Sequence, residues 1–333
     1  MKHPMLRTFA ALLIAGLSFG GPSVAAAADK VVFQLDWVPG GDKSPIYAAV
    51  KSGLFAAEGL DVTLQSGRGS SDSVSKLASG AADVGVAGIA ALMTAVAESN
   101  APVKAVMSIY CKEPDALFTV KGGPVGSLKD VTGKTIATAT FSSSNALWPV
   151  MLQKLGIDPS QVRLLKVDPT TLAPLLAQGK VDATINWITV GPLFEGVLKQ
   201  NGKELQVLPW SQYGLDGYGW SVVASDKMIR ERPEVLKKVL RALQKSFANA
   251  IANPDAAAAD LKAMVPEMDA KMAAAEFRAS IPLIQNEVSK KDGIGAFEPK
   301  LLATTWEWVA KAMNYPLNKV DPEKLVDRAF LPK

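Results

Sequence analysis

The sequence contains one cysteine, Cys111, and one histidine, His3, among its 333 residues. A single cysteine excludes an internal disulfide bond, and we expect Cys111 to be a small buried residue. So little histidine and cysteine also excludes a Ser-His-Asp or Cys-His nucleophilic system and the usual zinc site. We therefore expect no metal ion, no cofactor and no enzyme activity of those kinds. Chemistry based on carboxylate, lysine or tyrosine side chains remains possible.

Long hydrophobic runs are also scarce, and the run that opens the chain is short. Residues 8–17 follow a basic start and form an apolar run of about ten residues, whereas a membrane-spanning helix needs roughly 20. Small residues follow at 24–28, so the sequence predicts a cleaved signal peptide over residues 1–28 and a periplasmic location. A membrane anchor is the alternative. Cys111 lies far from the predicted cleavage point, which argues against a lipid anchor.

Neither sign of charge is concentrated in one part of the chain. The 36 basic and 32 acidic side chains leave a formal net charge of +4, and removal of Lys2 and Arg7 with the signal peptide would lower it by two. The remaining charges are interspersed along predicted helices without a long basic run. We therefore expect a monomer with no nucleic-acid partner.

Apolar strand-like runs alternate with helical stretches, and the alternation occurs twice. The first unit predicts strands over 31–35, 60–64 and 83–86 with helices over 44–58 and 71–79. The second unit predicts strands over 134–138, 162–167 and 183–186 with helices over 144–155 and 171–177. This order is typical of an α/β fold in which each unit is a mostly parallel sheet flanked by helices.

The two units share a local sequence signature. Residues 77–84 read LASGAADV and residues 176–183 read LAQGKVDA, a displacement of 99 residues. In both, a glycine ends a helix where a left-handed conformation is needed, and an aspartate leads into a strand. One copy would describe any helix-to-strand turn, but two copies predict two related lobes.

The order of the units also predicts how the chain divides. We expect the chain to cross between lobes at 108–119 and again at 204–225. The predicted divisions are lobe 1 over 29–118 plus 223–333 and lobe 2 over 119–222. A cleft between two lobes is the default place for a small-molecule ligand.

Ligands of open parallel sheets bind beyond the carboxyl ends of the strands, where helices begin, and this rule selects the candidate residues. They are Asp36, Trp37, Gly40, Tyr47, Arg68, Ser70, Ser71, Phe141, Ser142, Ser143, Ser144, Asn186, Trp187, Tyr213 and Asp216. Loops rich in glycine and serine permit close backbone approach, and free N–H groups at a helix start favour a ligand oxygen atom. Ordinary N-capping by serine is the alternative.

Three side chains suggest the kind of ligand. Arg68 has the geometry to bind a carboxylate, a sulfonate or a ring carbonyl in bidentate fashion, or is equally a solvated surface arginine. Trp37 and Trp187, one in each lobe, are placed to sandwich a flat ligand unless they belong to a core. Trp306 and Trp308 lie two apart on one helix and are assigned to packing.

Several segments resemble a known family. They are residues 35–39 (LDWVP), 47–49 (YAA), 51–55 (KSGLF), 58–62 (EGLDV), 128–134 (LKDVTGK) and 233–235 (PEV). The chain resembles the nitrate/sulfonate/taurine-type solute-binding proteins of ABC importers, and within them the branch for pyrimidine precursors of thiamine.

The resemblance carries expectations for fold and function. It implies the type II periplasmic-binding-protein fold, closure around a small-molecule ligand and docking on an ABC permease, with Asp36, Trp37 and Tyr47 in the ligand-contacting motif. We expect the ligand to be a planar nitrogen heterocycle or an aromatic or organic acid. A sulfonate, taurine or nitrate binder, an enzyme of the same fold acting on a small carboxylate, and a periplasmic sensor are the alternatives.

Overall fold

The computed structural model of the protein describes residues 27–331, whose strands form two five-stranded sheets. The predicted signal peptide therefore falls almost entirely outside the described residues. The strands are β1 (Asp29–Gln34), β2 (Leu60–Gln65), β3 (Val84–Gly88), β4 (Val103–Ser108), β5 (Asp115–Val120), β6 (Thr135–Ala139), β7 (Arg163–Val167), β8 (Ala183–Trp187), β9 (Leu205–Pro209) and β10 (Trp220–Ser225).

The two sheets have the same topology. The first has the order β2-β1-β3-β10-β4 and the second β7-β6-β8-β5-β9. Four strands of each sheet run in one direction, and the fifth, β10 or β5, is inserted antiparallel. The predicted α/β class with two mostly parallel sheets is confirmed.

Each inserted strand follows a crossing of the chain from one sheet to the other. The predicted divisions at 118/119 and 222/223 fall inside β5 and β10, respectively. Because β5 pairs along its whole length with β8 and β9, and β10 with β3 and β4, the chain changes sheets within 109–114 and 210–219. The prediction cut through both strands because it treated them as parts of the crossings. Below, lobe 1 denotes the first sheet with its helices and lobe 2 the second.

Helices cover the faces of both sheets. They are α1 (Ser44–Lys51), α2 (Leu54–Ala57), α3 (Ser70–Ala78), α4 (Ile89–Ser99), α5 (Ser144–Lys154), α6 (Leu172–Ala177), α7 (Gly191–Gln200), α8 (Asp226–Glu231), α9 (Pro233–Ala252), α10 (Pro254–Met264), α11 (Ala270–Ile284), α12 (Glu287–Asp292) and α13 (Pro299–Ala312). The helix predicted over 44–58 is interrupted, because Gly53 adopts a left-handed conformation with φ of 76° between α1 and α2.

The repeated sequence signature has the same structural role in both lobes. Gly80 and Gly179 have φ of 77° and 68° and end their helices. The Asp83 carboxylate then accepts the Val32 N–H at 2.8 Å, and the Asp182 carboxylate accepts the Thr135 N–H at 2.8 Å. Each aspartate thus binds the backbone of the neighbouring strand, β1 or β6, which confirms that the two units are structurally equivalent.

The hydrophobic cores join the lobes on the side of the crossings. Helix α13 of lobe 1 packs against α5 of lobe 2, and both contribute to one buried cluster. Trp306 is buried in that cluster and Trp308 is half-buried against it, so both pack as predicted. Cys111 is likewise buried. Within 27–331, no helix combines the length and apolar composition needed to cross a membrane.

Candidate ligand-binding site

A cavity lies between the strand ends of the two lobes, as the rule for open sheets predicts. Its empty volume, counted out to open solvent, is about 420 Å³. The lining residues are Asp36, Trp37, Asp42, Lys43 and Ser70 from lobe 1, and Ser142, Ser143, Ile185, Asn186, Trp187, Thr189 and Val190 from lobe 2.

The lobe 1 wall carries charge. Asp36 follows β1, and Asp42 and Lys43 lie in the 3-10 turn Gly41–Lys43. The Lys43 Nζ lies 2.9 Å from an Asp42 carboxylate oxygen and 3.8 Å from Asp36 Oδ1, and all three residues are buried. The Ser70 hydroxyl donates to Asp36 Oδ2 at 3.2 Å. The wall thus holds two carboxyl groups around one ammonium group.

Burial changes the acidity of these groups. Burial raises the pKa of Asp36 to about 6, and Lys43 opposes the change. Burial alone would lower the pKa of Lys43, but Asp42 and Asp36 outweigh it and the pKa is raised. Lys43 therefore stays protonated at neutral pH, with Asp42 as its closest counterion.

The lobe 2 wall is polar but uncharged. The Asn186 amide donates to the Thr184 hydroxyl at 2.7 Å, and the Ser142 hydroxyl lies 2.8 Å from that of Ser144. The Ser144 N–H, at the start of α5, donates to the Ser142 hydroxyl, so this N–H is already hydrogen-bonded within the loop. Ser143 is the N-cap residue of α5, and it makes no side-chain capping hydrogen bond.

Two buried polar atoms at the cavity lack a hydrogen-bond partner among the described residues. They are Asp36 Oδ1 in lobe 1 and Thr189 Oγ1 in lobe 2. Asp36 Oδ1 nevertheless lies 3.8 Å from the Lys43 ammonium group, so its charge is compensated although it accepts no hydrogen bond. Each wall therefore contains one buried polar atom that makes no hydrogen bond.

The two cavity tryptophans each reach across to the opposite lobe. Trp37 of lobe 1 packs against the hydrophobic cluster of lobe 2, and Trp187 of lobe 2 packs against that of lobe 1. The Trp187 ring lies 5.8 Å from that of Tyr110 and 6.5 Å from that of Trp220. Both tryptophans are half-buried and line the cavity, so each packs against the opposite lobe and also exposes surface to the cavity.

Backbone contacts hold the two lobes together at the rim of the cavity. The Ser71 N–H in lobe 1 donates to the Phe141 carbonyl in lobe 2 at 3.0 Å. A Cβ added to Gly69 would lie 2.3 Å from the Phe141 carbonyl carbon, so only glycine permits this approach. The lobes are therefore in direct contact, as in a closed cleft.

Seven of the fifteen predicted residues line the cavity, namely Asp36, Trp37, Ser70, Ser142, Ser143, Asn186 and Trp187. Ser71 and Phe141 lie at the rim instead. Tyr47 is buried in the lobe 1 core, and Gly40 opens the turn that carries Lys43. Ser144 donates at 2.5 Å to Asp115, which is a buried residue at the first crossing.

The remaining three predicted residues lie away from the cavity. The Arg68 side chain is 62% exposed, pairs with Asp72 at 2.8 Å and lies over the Phe141 ring at 4.8 Å. Tyr213 accepts the Leu128 N–H at 3.3 Å. The Asp216 carbonyl accepts the Trp308 indole N–H at 2.8 Å. Arg68 is thus the surface arginine that the sequence left as an alternative.

Sequence reasoning missed five lining residues, which are Asp42, Lys43, Ile185, Thr189 and Val190. Asp42 and Lys43 lie within three residues of the selected Gly40, and Thr189 lies two residues after the selected Trp187. Their closeness in sequence to selected residues could therefore have identified these three. Among residues 27–331, no group of three or more His, Cys, Asp or Glu side chains is arranged to hold a metal ion.

Two similar α/β lobes that face each other across a cavity form the fold of two-lobed periplasmic binding proteins. The periplasmic aliphatic sulphonate binding protein SsuA from Escherichia coli has this fold, with a TM-score of 0.70 and 16% identity over 92% of this chain and 94% of that chain. SsuA from Xanthomonas axonopodis pv. citri, bound to MOPS, gives a TM-score of 0.69 over 91% and 99% of the two chains at 16% identity.

The family model described as NMT1/THI5 like matches residues 41–257, and the chain belongs to this family. The riboflavin-binding protein RibY of Chloroflexus aurantiacus is 26% identical over 93% of this chain and 88% of its own length. The formylaminopyrimidine-binding protein of Halalkalibacterium halodurans is 26% identical over 83% and 79%. The 4-amino-5-hydroxymethyl-2-methylpyrimidine phosphate synthase THI13 of Saccharomyces cerevisiae is 22% identical over 90% and 91%.

Proposed function

We propose that this protein is the periplasmic solute-binding component of an ABC importer and that it binds a small planar nitrogen heterocycle in the interlobe cavity. The observation that carries the proposal is a pair of buried polar atoms that make no hydrogen bond, Asp36 Oδ1 and Thr189 Oγ1, on opposite walls of that cavity. A molecule with ring N–H or amino groups would donate to the carboxylate and bridge both lobes. Such bridging contacts exist only in the closed form, so the ligand would favour closure.

The charge of the cavity supports a ligand of this class over an anion. Lys43 is the cation among the lining residues, and Asp42 already neutralises it at 2.9 Å. A sulfonate, nitrate or carboxylate would meet Asp36 without a free counterion in the cavity. The names of two relatives point the same way, since riboflavin and formylaminopyrimidine are both planar nitrogen heterocycles.

Binding is proposed rather than catalysis, although one relative is named as a synthase. The sequence has no histidine outside the first three residues, so a histidine acid or base cannot act in the cavity. Trp37 and Trp187 provide aromatic surface, and Asp36, Asn186 and Thr189 provide hydrogen-bonding groups. These features suit recognition of a flat polar molecule.

A thermal-shift panel on the protein starting at residue 29 tests the proposal. The compounds are riboflavin, a formylaminopyrimidine, benzoate, taurine and nitrate. At about 100 times its dissociation constant, a true ligand adds roughly 2.7 kcal/mol of stability. We expect riboflavin or the formylaminopyrimidine to raise the melting temperature and to be recovered chemically unchanged.

Two variants sharpen this experiment. Trp187→Ala should weaken the response because it removes a cavity wall, whereas Trp308→Ala, on α13 outside the cavity, should retain it. Stabilisation by taurine or nitrate but by neither heterocycle would contradict the ligand class. Conversion of the compound into a product would contradict the binding role.

A further inference from the structure

Helix α11 lies behind both walls of the cavity. In lobe 1 it packs against the 3-10 turn Gly41–Lys43, which supplies Asp42 and Lys43 to the cavity. In lobe 2 it packs against the 3-10 turn Ile188–Val190, which supplies Thr189 and Val190, and against the following helix α7. One helix of lobe 1 therefore touches ligand-lining segments of both lobes.

The contact with lobe 1 combines a close backbone approach with a buried hydrogen bond. A Cβ added to Gly41 would lie 2.0 Å from the Ala273 carbonyl oxygen, so the turn rests directly on the backbone of α11. The Gly41 N–H donates to Glu276 Oε2 at 2.5 Å. Glu276 is 3% exposed, and Asp42 and Lys43 follow Gly41 in the chain. Glu276 thus fixes the backbone that presents the cavity charges.

The contact with lobe 2 lies on the same helix one turn earlier. The Met272 Cε lies 3.3 Å from the position of a Cβ added to Gly196 in α7, so the absence of a side chain there leaves room for the methionine. Ile188, at the start of the lobe 2 turn, packs against the hydrophobic clusters of both lobes. Lobe 2 therefore contacts the same helix that holds the Gly41 turn.

The acceptor for the Gly41 N–H is a buried carboxyl group. An uncharged glutamine offers the same acceptor for a backbone N–H without the cost of burying an ionisable group. Burial raises the pKa of Glu276 to about 7; Asp42 adds to this effect, and the Gly41 N–H and Lys43 oppose it. Glu276 therefore shares the electrostatic environment of the cavity although it does not line it.

We propose that Glu276 is a positioning residue for the ligand site and that α11, through Glu276 and Met272, couples lobe closure to the placement of Asp42 and Lys43. The coupling to ligand affinity rests on the proposed function of the cavity. The positioning role itself does not, because it concerns contacts present within the protein.

The test compares Glu276→Ala and Glu276→Gln with Glu307→Gln, a matched change at an exposed glutamate of α13. Amide hydrogen exchange of the segment 40–43 is measured by mass spectrometry on the protein starting at residue 29. Affinity is measured with riboflavin, or with the panel compound that stabilises the wild type if riboflavin does not. Gly41→Ala, which displaces the same turn without removing the carboxyl group, is the second perturbation.

We expect Glu276→Ala to accelerate exchange of segment 40–43 by roughly tenfold or more and to weaken affinity by a similar factor. Glu276→Gln should restore both to within about threefold of wild type because its side-chain oxygen still accepts the Gly41 N–H. Glu307→Gln should leave both unchanged, and Gly41→Ala should reproduce Glu276→Ala. If Glu276→Ala does not fold, Glu276→Gln decides, because exchange of segment 40–43 accelerated well beyond threefold in that variant would contradict positioning by the side-chain oxygen.

Unchanged exchange of segment 40–43 in Glu276→Ala or in Gly41→Ala would overturn the positioning role. Faster exchange with unchanged affinity would overturn the coupling. If no compound of the panel stabilises the wild type, the proposed function fails, and hydrogen exchange still decides whether Glu276 positions the turn.

Discussion

The two walls of the cavity differ in charge although the two lobes share one topology. The lobe 1 wall contains Asp36, Asp42 and Lys43, whereas every lining residue of lobe 2 is uncharged. The same strand order and the same helix-ending glycine therefore present different chemistry at equivalent strand ends. The fold fixes where the cavity lies, and short loops fix what it recognises.

The difference in charge between the two walls has a physical consequence for closure of the lobes. The buried charges of lobe 1 are compensated within lobe 1, because Lys43 lies near both Asp42 and Asp36. When lobe 2 approaches, it adds hydroxyl, amide and aromatic groups and no further charge to desolvate. The predictions that follow probe this comparison, from the largest expected effect to the smallest.

Replacement of Lys43 should have the largest effect. Lys43→Met leaves the buried Asp36 and Asp42 carboxylates without their counterion, and loss of one partner of a buried ion pair costs about 3–5 kcal/mol. We expect a loss of about this size in the free energy of unfolding, measured by urea denaturation at pH 7.

Lys121→Met on lobe 2 is the matched control. Lys121 pairs with Glu204 at 2.6 Å, but both side chains are more than half exposed, and such pairs contribute about 0–1 kcal/mol. Equal losses for the two variants would show that the lobe 1 wall does not depend on its internal ion pairs.

The second-largest effect should be on the pH dependence of stability, to which the charged lobe 1 wall contributes. Burial raises the pKa of Asp36 from 3.8 to about 6 and that of Glu276 from 4.5 to about 7, and Asp42 and Lys43 face both groups. The folded state therefore holds these protons more tightly than the unfolded chain. Their contribution to stability is complete below about pH 4 and is lost as the pH rises through about 6 to 7.

Glu276→Gln and Asp36→Asn should remove part of this dependence. One pKa unit corresponds to about 1.4 kcal/mol, so the stability of each variant relative to wild type should rise by roughly 2–3 kcal/mol between pH 4 and pH 8. Urea denaturation at several pH values measures the difference. Glu307→Gln should show a constant difference, and a constant difference for Glu276→Gln would contradict the raised pKa.

Much of the architecture could be predicted from the sequence because it depends on local patterns. The glycine and aspartate of the repeat predict equivalent turns, and Gly80, Gly179, Asp83 and Asp182 occupy them. The inserted strands were harder to predict. Strand β5 lies in a stretch interpreted as a crossing, and only pairing with the distant strands β8 and β9 makes it part of a sheet.

The site was predicted less completely because side-chain direction depends on packing between distant segments. Asp36 and Trp187 could be found from their positions at strand ends. The role of Lys43 depends on a turn held by Glu276, which lies 233 residues later in the chain. Tyr47 lies in a family motif but points into the core, and no sequence pattern in that helix separates these two outcomes.

Replacement of Arg68 should have the smallest effect. It tests whether residues at the rim contribute to binding as the cavity-lining residues do. The arginine is mostly exposed, and Asp72 already accepts its hydrogen bond at 2.8 Å. Arg68→Ala should therefore change the affinity of the panel compound by less than about threefold and leave the urea midpoint close to that of wild type. Isothermal titration of the variant and of Trp187→Ala under the same conditions measures the contrast. A tenfold loss of affinity in Arg68→Ala would mean that the guanidinium leaves Asp72 to reach the ligand, and the lobe 1 wall would then extend to the rim.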